Sequence, residues 1–204
     1  MINKLSNKIA WFFFTNELIA EKEDIEVYAY GLEMLIPPII EIGIVIAISL
    51  YIRQFLPTLA FLIAFIPIRT YAGGYHAKTH FRCFLVLLGV YCFVLAAVYM
   101  TPVWLLKWLM LFSIITSIAT IYLLAPIENR NKPVSDELKK ECRKNSLSIV
   151  IYQSVFIFAL ISETVQSSTL YSYCLGLLSA AISLIAVNIK YKVEGGKYNE
   201  ERIG

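Results

Sequence analysis

Cys83–Met100 reads CFLVLLGVYCFVLAAVYM, eighteen residues without one charged side chain. A run of that length and composition can cross the hydrocarbon core of a bilayer as a helix, where every backbone amide and carbonyl finds its partner inside the segment. Five further apolar stretches surround it: Leu32–Ile52, Phe55–Ile68, Val103–Pro126, Leu147–Ser162 and Ser168–Ile189. Of the 204 residues, 58% are hydrophobic and 16% charged, with a mean hydropathy of +0.67. Soluble domains run about 45–50% apolar and about 25% charged. The expected fold class is therefore an all-α integral membrane protein, one membrane domain over 1–204, with about six transmembrane or re-entrant helices. Phe55–Ile68 is the shortest segment and is expected either to span under mismatch or to be re-entrant.

Cytoplasmic loops carry an excess of Lys and Arg, so the basic residues give the orientation. Six crossings with both termini inside put sixteen of the eighteen Lys and Arg on the cytoplasmic side, all but Arg53 and Lys107. Omitting the short second segment would break this partition, because with the N-terminus inside 69–82 and 127–145 could then not be cytoplasmic without another crossing. The protein is thus expected to be multi-pass, with both termini and the 69–82 segment in the cytoplasm. Residues 1–31 are expected to form a cytoplasmic or interfacial helix, since Ile2, Leu5, Ile9, Phe12 and Phe13 recur at helical spacing opposite Lys4, Asn7 and Lys8. A helix packed on the rest of the protein explains the same pattern. No secretory signal is visible, because the apolar core at Ala10–Phe14 is too short for one.

Polar chemistry concentrates just before the opening stretch, in Arg69-Thr70-Tyr71-Ala72-Gly73-Gly74-Tyr75-His76-Ala77-Lys78-Thr79-His80-Phe81-Arg82-Cys83. The segment holds both histidines of the chain and one of its four cysteines. A thiol needs a base to become a nucleophile at neutral pH, and imidazole, with an unperturbed pKa of about 6.5, suits that task. On an unbroken helix His76 and Cys83 lie about 10.5 Å apart along the axis, beyond hydrogen-bond reach, so their pairing requires a break. His80, three residues before Cys83, faces it without one, and spacing alone favours His80. His76, His80 and Cys83 are also a donor set for zinc or copper, short of a fourth ligand.

Glu33 and Glu41 are carboxylates within a membrane segment, where an ionisable group needs a polar cavity or a counter-charge. Arg69, at the end of an apolar segment, either snorkels to the headgroups or holds such a carboxylate. Cys92, Cys142 and Cys174 lack zinc-ligand spacing and are expected to be free thiols in packing or loop positions. Ser135 followed by Asp136 and Glu137 reads as a helix N-cap with first-turn acids, and Lys139, Lys140, Arg143 and Lys144 as positive-inside anchors.

The Arg-Gly-His-Cys spacing at Arg69, Gly73-Gly74, His76 and Cys83 resembles the histidine-to-cysteine motif of the AgrB family, membrane endopeptidases of bacterial peptide quorum sensing. Ala125-Pro126-Ile127-Glu128-Asn129-Arg130-Asn131-Lys132-Pro133 resembles a second motif of that family, an Ala-Pro followed by a basic run ending in Lys-Pro. Here the run is diluted by Glu128, Asn129 and Asn131. Tyr30-Gly31-Leu32-Glu33 is similar to the family's first-segment pattern. The resemblance implies that Cys83 is the nucleophile, with His76 rather than His80 as its base. It implies a catalytic loop at 69–82, with Arg69, Gly73, Gly74 and Glu33 supporting or orienting, and a basic loop at 126–146 in which Arg130, Lys132 and Pro133 bind substrate.

The implied reaction is cleavage of an AgrD-like pro-peptide near its C-terminus through a thioester on Cys83, with closure of a thiolactone or lactone ring. No metal or other cofactor is implied, and the implied setting is a homodimer in the bacterial cytoplasmic membrane. A different class, a small membrane transporter or export subunit with Glu33, Glu41 and the histidines lining its path, predicts an inverted repeat, and none is visible. The sequence has no phosphate loop, dinucleotide glycine pattern or nucleic-acid module, and a net charge of +3 is too small to point to a polyanion.

Overall fold

The computed structural model describes residues 2–16, 18, 21–73, 80–127, 135–162 and 168–203. Among the described residues there are seven helices: α1 (Ile2–Thr15), α2 (Asp24–Tyr51), α3 (Phe55–Ala72), α4 (His80–Met100), α5 (Val103–Leu124), α6 (Asp136–Ser162) and α7 (Ser168–Ile203). No strand occurs among the described residues. Among the described residues, five helices are long and apolar enough to cross a membrane: Asp24–Tyr51, Phe55–Ala72, Phe81–Met100, Val103–Leu124 and Ser168–Val193. The sixth apolar segment forms the second half of α6, whose first half is charged. The chain is an all-helical membrane protein.

Several boundaries differ from the expected ones. α2 begins at Asp24, well inside 1–31, because Asp24 and Glu26 place negative charge in its first turn, where the helix dipole favours it. α3 continues past Ile68 to Ala72, reaching 18 residues. Nothing in Arg69-Thr70-Tyr71-Ala72 breaks a helix, and Thr70 Oγ1 donates to the Ile66 carbonyl at 2.9 Å within it. The expected shortfall in length at this segment therefore disappears. α6 begins at Asp136, inside 126–146, with the Leu138 amide donating to Ser135 Oγ at 3.4 Å as an N-cap bond.

The chain divides into two compact units, Met1–Arg53 and Gln54–Gly204. In the first, α1 packs on α2 through Ala10, Ile25 and Ala29, flanked by Phe14 and Leu32. The packed face of α1 runs through Ser6, Ala10 and Phe14, at four-residue intervals, because small side chains there let the helices approach. Leu5 and Phe12, from the apolar stripe read in the sequence, stay 46% and 61% exposed, and Trp11 beside them 47%. That outward apolar face is what a helix lying in a membrane interface presents.

In the second unit α7 is central: α3, α4 and α5 pack on it, and α6 packs on α3 and α5. Gly176 makes the α3–α7 approach possible. A Cβ there would lie 2.8 Å from the Phe61 carbonyl oxygen and 2.9 Å from Ala64 Cβ, so only a residue without one fits. Ser172 Oγ adds a hydrogen bond to the Pro57 carbonyl at 2.8 Å. On α3, Phe61 stacks on Phe65 with ring centroids 5.4 Å apart, and Thr58 Oγ1 meets Tyr91 Oη of α4 at 2.8 Å.

Pro67, inside α3, has no amide proton, so the Ile63 carbonyl four residues earlier loses its helical donor. Gln153 of α6 supplies a substitute, its Nε2 donating to Ile63 O at 3.1 Å. In a membrane such a carbonyl finds no water, and a neighbouring helix meets the need. A polar residue in the apolar half of α6 thereby fixes α6 against α3.

Candidate active site

The last turn of α3 and the first turn of α4 build the site. Arg69 Nη2 donates to Cys83 Sγ at 3.2 Å. The same guanidinium lies 5.4 Å from the ring centroid of Phe65, one turn back on α3. Phe65 is buried at 3% exposure, so the ring is a fixed platform and the cation–π contact limits where the guanidinium can go. Cys83 is half-buried. Beside an arginine donor, a sulfur that gains negative charge meets a charge-assisted hydrogen bond already in place.

Gly73 ends α3 with φ +80° and ψ −162°, a backbone region that side-chain-bearing residues rarely enter. A Cβ at this position would stand 2.5 Å from the carbonyl oxygen of Ile127. The Ile127 amide in turn donates to the Ala72 carbonyl at 3.0 Å. That bond satisfies one of the carbonyls that the C-terminus of a helix leaves without a partner. Gly73 and Ala125-Pro126-Ile127, from the two motifs read separately in the sequence, are thus joined through their backbones. Arg143 of α6 reaches the same turn, with Nη1 3.5 Å from the Ala125 carbonyl and Nη2 3.3 Å from that of Tyr122.

The structure brings Arg69 together with Cys83, and Gly73 together with Ile127. Gly74 and His76 fall in 74–79, and Arg130, Lys132 and Pro133 in 128–134, outside the described residues. The segment expected as a loop over 69–82 is helical at both ends, through 72 and from 80, because no residue in Arg69–Ala72 stops α3. His80 is the first residue of α4, three before Cys83 in the same helix. Glu33 lies in α2 and accepts from Asn3 Nδ2 of α1 at 3.3 Å, which ties the start of α1 to α2. Arg69, which the sequence offered either to the headgroups or to a carboxylate, donates to the thiol sulfur.

All four cysteines are free, with Cys174 buried and Cys92 exposed. No group of three or more His, Cys, Asp or Glu converges among the described residues. Gln153 is a contributor that the sequence did not single out, while Arg143 and Ile127, read there as a positive-inside anchor and as part of the Ala-Pro motif, make contacts that reading did not include. For Gln153 a signal existed, because Pro67 leaves an orphan carbonyl that some donor must meet.

Membrane-length helices with an arginine-held thiol where two of them meet define a membrane protein with a candidate cysteine site. The family model described as Accessory gene regulator B matches residues 6–185, and the chain belongs to that family, whose role is in quorum-sensing peptide processing. It is 27% identical over 163 residues to the accessory gene regulator protein B of Staphylococcus aureus (strain bovine RF122 / ET3-1), covering 77% of this chain and 80% of that protein. A putative AgrB-like protein of Clostridium perfringens (strain SM101 / Type A) is 31% identical over 172 residues, covering 79% and 78%. Another, from Clostridium beijerinckii, is 24% identical over 203 residues, covering 98% and 96%. No solved structure matches the chain significantly.

Proposed function

We propose that the protein is a membrane cysteine endopeptidase that cleaves an AgrD-like pro-peptide near its C-terminus and cyclises the remainder. The observation that carries this reading is the 3.2 Å contact from Arg69 to the Cys83 sulfur, made by the two helices that flank the segment containing His76. In the proposed reaction His76 takes the proton from Cys83, and the thiolate attacks the carbonyl carbon of one peptide bond. The C–N bond then breaks, the departing amine takes the proton from the imidazolium, and the amino-terminal part of the peptide remains as a thioester on Cys83. A thiol or hydroxyl within that bound part next attacks the thioester, passing its proton to His76. Cys83 leaves as thiolate and a thiolactone or lactone ring closes. Negative charge sits on the sulfur before attack and again on departure, and Arg69 is placed to meet it at both points. Holding the internal nucleophile beside the acyl carbon lets ring closure outrun water.

The scheme uses a thiol and an imidazole and calls on no metal. Arg130, Lys132 and Pro133 are assigned to the acidic tail of the substrate. The setting is the bacterial cytoplasmic membrane, with both termini and the 69–82 segment in the cytoplasm, and the working unit is a homodimer. The test is cleavage of the pro-peptide in reconstituted vesicles. Cys83→Ala and His76→Ala are each expected to abolish cleavage with insertion intact, while His80→Ala retains it. A Cys83→Ala protein that still cleaves removes the mechanism.

A further inference from the structure

Resting on the cysteine-peptidase reading above, we propose that Arg143 is a positioning residue for Cys83. It holds the turn at Ala125–Ile127, that turn holds the end of α3, and the end of α3 carries the Arg69 guanidinium onto the sulfur.

The first link is electrostatic. Arg143 spans the carbonyls of Tyr122 and Ala125 with its two terminal nitrogens, at 3.3 and 3.5 Å. These carbonyls lie at the C-terminal end of α5, where unpaired acceptors and the negative end of the helix dipole favour a cation. A planar guanidinium reaches two acceptors at once, which an ammonium does not do with the same geometry. Ala125 is 2% exposed, so the turn being held is itself packed in place.

The second link is backbone to backbone. Ile127 donates its amide to Ala72 at 3.0 Å, and its carbonyl oxygen occupies the space that a Cβ on Gly73 would need. The end of α3 is therefore tied at Ala72 and blocked at Gly73, and α3 cannot turn about its axis there without breaking the bond. The third link is the helix itself. Arg69 stands three residues before Ala72, just under one turn, so a rotation of the helix end displaces the guanidinium while α4 keeps Cys83 where it is. A displacement of the helix end of about 1 Å is enough to misplace the guanidinium against the sulfur. Arg143 is exposed, and changing it leaves the apolar packing intact.

The experiment uses the full chain in vesicles, with Cys92, Cys142 and Cys174 replaced by Ala so that Cys83 is the sole thiol. Two quantities are read: the rate at which N-ethylmaleimide alkylates Cys83 at fixed pH, and kcat and KM for cleavage of the pro-peptide. Arg143→Gln and Gly73→Ala are expected to slow alkylation and to lower kcat by roughly ten- to a hundredfold, the scale of a misplacement of about 1 Å in an active site. KM should stay within about twofold, because Arg69 acts on the reacting sulfur and not on the bound peptide. Arg143→Lys should fall between, and Lys144→Gln, next along the helix, should match the parent. Adding Arg69→Gln to Arg143→Gln should cost little more than Arg69→Gln alone, since both act through one hydrogen bond.

Parental alkylation and kcat in Arg143→Gln would overturn the proposal. So would a loss carried by KM alone, which would make Arg143 a substrate-binding cation, or effects of Arg69→Gln and Arg143→Gln that multiply. Should Gly73→Ala fail to insert, the exposed Arg143 variants decide. Failure of the underlying reading shows differently, as cleavage that survives Cys83→Ala while the alkylation rates still report the link from Arg143 to the sulfur.

Discussion

Arg69 Nη2 and Cys83 Sγ lie 3.2 Å apart, fourteen residues from each other in the chain, one in the closing turn of α3 and the other in the opening turn of α4. A cation held by an aromatic platform on one helix thus defines the polar environment of a thiol on the next.

Replacing Arg69 by Gln should slow alkylation of Cys83 at fixed pH by roughly tenfold or more, since a hydrogen bond to a charged group contributes about 1.5–3 kcal/mol. Lys at 69 should restore part of the rate, because it returns the charge without the planar fork. Timed labelling with N-ethylmaleimide and intact-mass detection measures both. An unchanged rate in the Gln variant would mean that the guanidinium does not support charge on the sulfur.

A precursor whose ring-forming Cys or Ser is changed to Ala should acylate Cys83 and then stall, because the positioned internal nucleophile is missing. Intact-mass analysis should find an adduct carrying the amino-terminal part of the precursor, labile to hydroxylamine. Full turnover to a linear acid with no adduct would make water the normal acceptor and the protein a hydrolytic peptidase.

Gln153→Leu should destabilise the protein by about 0.6–2 kcal/mol, the range for interhelical hydrogen bonds in membranes. The cost should largely vanish in a Pro67→Ala background, where residue 67 regains the amide that bonds the Ile63 carbonyl. Unfolding in mixed detergent measures the four proteins of the cycle. Equal penalties in both backgrounds would show that Gln153 acts through something other than that carbonyl.

Single cysteines placed at Lys78 and at Asn131, in a background cleared of other reactive thiols, should resist an impermeant maleimide in intact cells and react in inverted vesicles. Labelling of either from outside would reverse the orientation drawn from the basic residues.

The apolar runs were legible because membrane length and lack of charge leave few alternatives to a helix. The end of α3 was not. An arginine marks where a side chain meets the membrane surface, and the backbone went on for three residues more because nothing in Thr70-Tyr71-Ala72 stops it. For α1 the amphipathic stripe was visible, yet the face that packs on α2 is the one bearing Ser6 and Ala10, since close approach depends on small side chains as much as on apolar ones.

The two motifs could be read at Gly73 and at Ala125-Pro126, but not the bond between them. It runs through the amide of Ile127, and a backbone amide has no residue type to announce it. The approach of Arg69 to sulfur depends on how α3 and α4 cross, which spacing along the chain does not encode.

The helix that organises the second unit is made after the helices it organises. α3, α4 and α5 leave the ribosome ahead of α7, so each enters the bilayer without the surface on which it finally rests. Arg69 and Cys83 are therefore both synthesised before the helix on which α3 and α4 both pack. The support common to α3 and α4 is complete only once α7 is in place, with Gly176 against Phe61. A translation arrest upstream of α7 would leave a cell with inserted helices that carry Arg69 and Cys83 and lack the helix on which both α3 and α4 rest.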